Sequence, residues 1–368
     1  MTVTLSRRMQ AVTNARTKPM PVVAVTGAAD GFGPALVDRL AASPQVKRVI
    51  AIDDHRGESS STQVTWRVAD IRDPALGGRL TGIDVVIHAD IELSPDSDPR
   101  QRRAVNVRGT QTVLTAAAAS QVGQVMLITS AMVYGARPEN PVPLNEQAPL
   151  AAALDSSVAG DLLEIEQLAR RSRRTNPGLD VSVVRPALLA GGGIDTLLTR
   201  HFEAPRLLTV KGCTPCWQFC HVDDLASSLE FAVAGGLSGE FAVGCDDWLE
   251  QAQVEEISGL KSIELPAALT FGTAQRLHRI GVTPAPAMDL RYAVYPWVVD
   301  CAALREAGWQ PGYRNEDVLR ELLSRRAGHL AVAGRRLDRK DAALTAAGAT
   351  VAALGTAAIV RRARRRKK

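Results

Sequence analysis

Glycines 27, 31 and 33 follow directly on an apolar run, Val22-Val23-Ala24-Val25-Thr26, and Pro34-Ala35-Leu36-Val37 opens a helical pattern after them. Glycine is needed where a chain turns tightly out of a strand and where its backbone must approach a bulky anion. Gly27 suits the turn. Gly31, Phe32 and Gly33 are placed to bring the backbone against a pyrophosphate, with the unpaired N–H groups of the helix start facing it. About twenty residues on, Arg48-Val49-Ile50-Ala51-Ile52 ends in Asp53. A carboxylate there accepts hydrogen bonds from ribose hydroxyls and repels a 2′-phosphate, so NAD(H) is expected over NADP(H). A strand-end turn would also take such a residue, and Arg56 nearby weakens the preference.

A second cluster is Cys213-Thr214-Pro215-Cys216-Trp217-Gln218-Phe219-Cys220-His221. Cys-x-x-Cys with a third Cys and a His could ligate zinc or cycle as a dithiol. Phe219 and Cys220 read as a strand, however, and neighbours on a strand alternate faces, which works against four converging ligands. Free thiols and no metal are expected, with Cys245 and Cys301 in the core.

The elements that position these residues alternate along the chain. Strands are read at 22–25, 48–53, 63–68, 84–88, 124–129 and 180–185, with long helices at 100–121 and 154–175 between the later ones. Short turns separate them. This predicts an α/β fold with a doubly wound parallel sheet. After Pro186 the elements shorten between Gly and Pro. The expected division is a polar leader (1–20), a dinucleotide-binding domain (21–190), a small C-terminal lid or substrate domain (191–330), and a hydrophobic-basic tail (331–368).

Taken together, the motifs resemble the extended short-chain dehydrogenase/reductase family, which holds the NAD-dependent nucleotide-sugar epimerases and dehydratases. Besides the glycine turn, the resemblance is carried by Asp70-Ile71-Arg72-Asp73, Val86-Ile87-His88-Ala89, Asn106-Val107-Arg108-Gly109-Thr110, Thr129-Ser130-Ala131-Met132-Val133-Tyr134-Gly135, Val184-Arg185-Pro186 and His221-Val222-Asp223-Asp224. It implies a cofactor site that includes Asp70, Ile71, His88, Ala89 and Asn106. Asp70 would hold the adenine amino group or cap the next helix, and Asn106 would brace backbone beneath the site. It also implies that Ser130 orients a substrate hydroxyl or carbonyl.

The family's proton-transfer dyad, a Tyr with a Lys four residues later, is missing. Ser156 stands at the Tyr position and Gly160 at the Lys position. The chain has four tyrosines, at 134, 292, 295 and 313, and the residues four beyond them are Pro138, Pro296, Val299 and Asp317. A lone serine hydroxyl does not replace that base. His88, Asp90, Glu92 and Asp155 are the candidates for a relocated one. Ala131 and Met132 replace an acid pair that dehydration would need, and Trp217 replaces an arginine that would hold a nucleotide-sugar pyrophosphate. Two functions remain open: an enzyme on a sugar-like hydroxyl substrate using another base, or a catalytically silent NAD(H) sensor or scaffold.

The net charge of +5 does not make the body a nucleic-acid platform. The last eight residues carry seven positive charges, and without them the remainder has a net charge of −2. A hydrophobic content of 46% fits a globular chain rather than a disordered one. Residues 342–360 form an uncharged, Ala- and Gly-rich run flanked by basic residues. That pattern fits a segment lying on an anionic membrane surface better than one spanning it. The first twenty residues lack an apolar signal segment, so a cytoplasmic protein is expected, its 342–368 tail either associated with the membrane or loosely helical and free of it. The family often forms homodimers through its two long helices; no specific nucleic-acid partner is expected.

Overall fold

The computed structural model describes residues 20–59, 61–280, 283, 286–325, 330–332 and 335–337. The leader (apart from Met20), residues 342–360 and the basic terminus, with the membrane reading placed on them, lie outside the described residues. Among the described residues no helix is long and apolar enough to cross a membrane.

Strands β1 (Val22–Thr26), β2 (Arg48–Asp53), β3 (Val64–Val68), β4 (Val85–His88), β5 (Gln124–Ile128) and β6 (Asp180–Pro186) join a seventh, Glu240–Val243, in one sheet. All neighbours are parallel, in the order Glu240–Val243, β6, β5, β4, β1, β2, β3. Every residue of β1 is buried, because helices cover both faces; that is why its sequence reads as a continuous apolar run. Its side chains alternate between two cores. Ala24 packs with Val113 and Leu162, while Val23 and Val25 pack with Leu36 and Leu225. β3, at the edge, is only partly buried and carries polar residues.

Helix α1 (Gly33–Ala42) follows the glycine turn. Gly27 has φ +69°, and a Cβ there would lie 2.5 Å from the Asp90 Cα. At Gly33 a Cβ would lie 1.9 Å from the Gly27 carbonyl oxygen, so only glycine lets the helix start against the end of β1. The long helix expected at 100–121 is continuous but not uniform. α2 (Pro99–Arg103) passes through a π-helical turn at Ala104–Gly109 into α3 (Thr110–Ala119). The helix expected from residue 154 begins later, as α4 (Val158–Thr175), with Ser157 as its N-cap.

The expected domain boundary at 190 does not divide the sheet. After α5 (Leu197–His201), helix α6 (Val222–Gly235) packs against α1, and Glu240–Val243 pairs in parallel with β6. A parallel strand needs a crossover, and α6 supplies it. The remaining segments form two-stranded pieces, among them Leu207–Val210 with Ser262–Leu265, together with short helices. His221, read as a possible ligand, caps α6 instead. Its Nδ1 accepts the Asp223 N–H at 3.2 Å, its Nε2 lies 3.0 Å from Glu321, and its ring stacks on Tyr313.

Candidate functional site

β1 lies between β2 and β4, the place where the strand order reverses, and its register sets Thr26 level with Ile52 and His88. The next residues in each chain direction, Gly27, Asp53 and Ala89, therefore open side by side at the carboxyl edge, where ligands bind in open α/β sheets. They line a cleft together with Gly31, Phe32, Asp90 and Glu92. Asp53 is 8% exposed. Its Oδ2 accepts the Ala29 N–H at 2.9 Å and its Oδ1 the Asp54 N–H at 2.8 Å, which leaves a lone pair on each oxygen for a further donor. Burial raises its pKa, and the two N–H groups oppose that shift.

A second cavity adjoins the first, and Phe32, Ile91 and Leu93 line both. The ends of β5 and β6, Val158 of α4, Leu197 and Leu198 of α5, and the segment from Pro286 to Trp297 enclose it. Its walls are overwhelmingly apolar. The polar side chains that reach it belong to Thr129, Ser130, Thr196, Arg102 and Asp289.

The residues singled out from the sequence separate into three groups. Gly27, Gly31, Phe32, Asp53 and Ala89 line the first cleft, and Ser130 lines the second. Ser130 caps the turn Ala131–Tyr134. Its Oγ accepts the Met132 N–H and donates to the Pro186 carbonyl, both at 3.2 Å.

Asn106 supports the first cleft from below. Fully buried, it accepts the Glu92 N–H at 2.8 Å and donates to the Glu92 carbonyl at 3.0 Å, fixing the loop after β4. The π-helical turn that carries it is a distortion of the kind often found at functional sites.

His88, Ile71 and Asp70 do not line either cleft. His88 is fully buried, with Nδ1 2.7 Å from the Thr26 hydroxyl and Nε2 3.0 Å from the Thr110 hydroxyl. Burial pushes its pKa down to about 4, so it serves packing rather than proton transfer. Ile71 is core and sits against Gly109, where a Cβ would lie 2.3 Å from its Cδ1. Asp70 is engaged by the Arg72 guanidinium, at 2.7 Å between Arg72 Nη2 and Oδ2, which holds its pKa low. The cap of the following turn is Asp73.

At the dyad positions Ser156 is exposed and Gly160 buried. A Cβ on Gly160 would lie 2.3 Å from the Asp155 carbonyl oxygen, so the turn before α4 fills the space a lysine stem would need. Ser157 builds that turn by accepting the Gly160 N–H at 3.0 Å, while Asp155 accepts the Ser157 N–H at 2.9 Å. Asp155 is thereby engaged in the cap and lies outside the second cavity. Asp90 and Glu92 face the first cleft. None of the four bases considered from sequence reaches the apolar cavity.

Two residues that sequence reasoning missed do reach it. Arg102 is 3% exposed; its Nε donates to Asp161 at 2.8 Å and its Nη2 to the Ser156 carbonyl at 2.5 Å. Asp289 is also 3% exposed. Arg102 precedes the inward-facing Asn106 by one helical turn, a phase that could have marked it. Asp289 sits among Pro286, Ala287, Met288 and Leu290, apolar company that hints at a buried acid but matches no motif.

The cysteines form no ligand set. Cys216 Sγ lies 3.7 Å from Glu250, Cys220 and Cys245 are wholly buried, and burial raises the pKa of Cys216, Cys245 and Cys301 to about 12. Among the described residues the acidic and imidazole groups close enough to share an ion are Asp53, Asp54 and His55. Trp217 stacks on His201, with ring centroids 5.3 Å apart, and donates to Gln251 outside the apolar cavity.

A family model described as the NAD dependent epimerase/dehydratase family matches residues 23–244. An uncharacterised protein of Mycobacterium tuberculosis is 29% identical over 300 residues, 79% of this chain and 80% of its own length. A 4-hydroxy-2-methyl-3-oxo-4-farnesyl-3,4-dihydroquinoline-1-oxide ketoreductase of Stigmatella aurantiaca is 27% identical over 165 residues, 44% of this chain and 48% of its own. Among solved structures, the dTDP-glucose 4,6-dehydratase DesIV of Streptomyces venezuelae, a double mutant with NAD and DAU bound, superposes with a TM-score of 0.62. It is 22% identical, and the match covers 82% of this chain and 95% of DesIV.

Proposed function

The chain belongs to the NAD-dependent epimerase/dehydratase family, and from that premise we propose that it is an NAD(H)-dependent oxidoreductase acting on the carbonyl or alcohol of an apolar small molecule. The observation that carries this reading is the pair of adjoining cavities. A glycine-lined cleft at the point where the sheet order reverses meets an apolar chamber across Phe32, Ile91 and Leu93.

The first cleft fits a dinucleotide. Gly27 and Gly31 line it without side chains, so a diphosphate can approach the backbone closely, while Gly33 lets the helix start pack against the end of β1. The free lone pairs of Asp53 suit the adenosine ribose hydroxyls, and its charge disfavours a 2′-phosphate. When bound, the nicotinamide supplies or accepts a hydride.

A sugar or nucleotide-sugar substrate was the expectation from family resemblance. The chamber offers a sugar few polar partners, and leaving its hydroxyls unpaired would cost about 1–3 kcal/mol each. An apolar body with one reacting oxygen suits these walls better, with Ser130 beside that oxygen. The substrate in the ketoreductase relative's name likewise joins a ketone to an apolar farnesyl chain, although it carries further oxygens.

The test is a screen of apolar ketones (acetophenone and geranylacetone first), monitoring NADH oxidation by the full-length protein. Consumption of NADH with formation of the alcohol supports the reading. Tight NADH binding with no turnover of any apolar carbonyl or of the corresponding alcohols would instead favour a silent NAD(H) sensor.

A further inference from the structure

An oxidoreductase on carbonyls must move a proton as well as a hydride, and the dyad that would do so is absent. The chamber nevertheless holds a carboxyl aimed into it. Asp289 is 3% exposed, and its Oδ1 is buried without a hydrogen-bond partner among the described residues. The Val158 N–H, at the start of α4, faces the carboxyl and draws its pKa down. A native structure rarely leaves a buried carboxyl oxygen unpaired, and such an atom marks a place where a ligand is expected.

The position agrees with the missing function. Val158 opens the helix that should carry the dyad, two residues beyond Ser156. Arg102, which also lines the chamber, donates to the Ser156 carbonyl and pairs with Asp161. A proton carrier and a cation therefore both border the chamber at the dyad's end of α4. They come from other segments: Asp289 from the loop that closes the chamber, Arg102 from α2.

We propose that Asp289 is the catalytic acid/base of this chamber, exchanging a proton with the reacting oxygen of the substrate, and that Arg102 is the positioning residue that moderates its charge. The proposal rests on the oxidoreductase reading above. In reduction the substrate C=O becomes CH–OH. The carbon gains a hydride, with both its electrons, from reduced nicotinamide, the oxygen gains the proton of Asp289, and Asp289 is left ionised until solvent reprotonates it. Oxidation of an alcohol runs the same transfers backwards.

Burial raises the Asp289 pKa to about 7, against the opposing attraction of Arg102 and the Val158 N–H and with a further push from Asp155 and Asp161. Tyr292, one turn along, also stands within its field. A carboxyl poised near the working pH is suited to give and take a proton.

The experiment needs no known substrate. Dicyclohexylcarbodiimide is an apolar probe that reacts with protonated carboxyls. The acid O–H adds across one C=N bond, with oxygen bonding to carbon and the proton passing to nitrogen. Nothing leaves, and rearrangement gives a stable acylurea of the same mass. The full chain is treated with the probe, mapped by mass spectrometry, and checked in parallel for NADH binding. Labelling at Asp289 that declines as pH rises through about 7, and that is lost in Asp289→Asn, is the expected result. Absence of that label in protein that binds NADH overturns the proposal while leaving the cofactor reading intact; failure to bind NADH strikes the cofactor reading itself.

With any ketone the wild type reduces, Asp289→Asn is expected to lower kcat by about 10²–10⁴-fold with little change in KM. Asp289→Glu should recover part of the rate, and the limb of the pH profile near neutrality should vanish in the Asn variant. An Asn variant that folds, binds NADH and keeps its kcat contradicts the assignment.

Discussion

Two aspartates, Asp289 buried and Asp90 half-buried, are expected to make this protein's behaviour depend on pH near neutrality. Asp90 adjoins Gly27 in the first cleft, and burial raises its pKa to about 7, with help from Asp53, Asp54 and Asp70 and against Arg72. Ionised, it repels a bound diphosphate; protonated, it can donate a hydrogen bond to it. NADH affinity is therefore expected to fall as pH rises through about 7, and Asp90→Asn should bind more tightly at pH ~8 with a flatter profile. Isothermal titration across pH checks this.

Asp289 yields a stability prediction of definite sign. Its folded pKa of about 7 exceeds the ordinary 3.8, so the folded state binds the extra proton and loses stability as pH climbs between those values. Above both, the cost is fully present. Asp289→Asn should thus melt higher than wild type at pH ~8, by the equivalent of a few kcal/mol, with the gap shrinking towards pH ~4. At this scale the sequence disclosed the residues whose role is steric or local, Gly27, Gly33 and Asp53. It hid Asp289 and Arg102, because long-range packing of a loop and a helix is what aims them into one chamber. His88, by contrast, looked reactive and is enclosed by two hydroxyls.

Element by element, the strands were legible because two-sided burial writes itself as apolar runs, and β2 spans the same residues, 48–53, in sequence and structure. Helix starts were less so. The α4 N-terminus depends on which of three adjacent polar residues caps it, and Ser157 prevails because Asp155 bonds back to it. That turn also explains why the dyad cannot be restored by two substitutions. Installing tyrosine and lysine at Ser156 and Gly160 should destabilise the protein by about 2 kcal/mol or more, since the new Cβ must displace the Asp155 backbone. Chemical denaturation would measure the loss, and no gain in activity is expected. The π-helical turn in the 99–119 helix left no sequence signal; it follows from Asn106 reaching the Glu92 backbone.

For the whole molecule, the carboxyl edge of one sheet gathers the residues proposed to bind and react, and a buried ionic network holds the far strands in line. Arg185 on β6 binds Glu166 of α4 through two nitrogens at 2.8 Å, the Tyr134 hydroxyl at 3.0 Å and Glu240 of the next strand at 2.5 Å. Removing the cation strands a buried carboxylate, so Arg185→Leu should cost about 3–5 kcal/mol in denaturant unfolding. Sequence periodicity gave the layers of the sheet but set its edge too early. The strand Glu240–Val243 returns after a stretch that reads as a separate lid, and only pairing with β6 reveals that it belongs to the sheet.

Every proposed step requires the first cleft to be a dinucleotide site joined to an apolar chamber. Titrating the full-length protein with NADH and NADPH while following nicotinamide fluorescence tests it directly. NADH should bind in the micromolar range, more tightly than NADPH, with enhanced emission from a ring held away from water, and Asp53→Ala should weaken binding and narrow the preference. Binding of neither nucleotide would contradict the account.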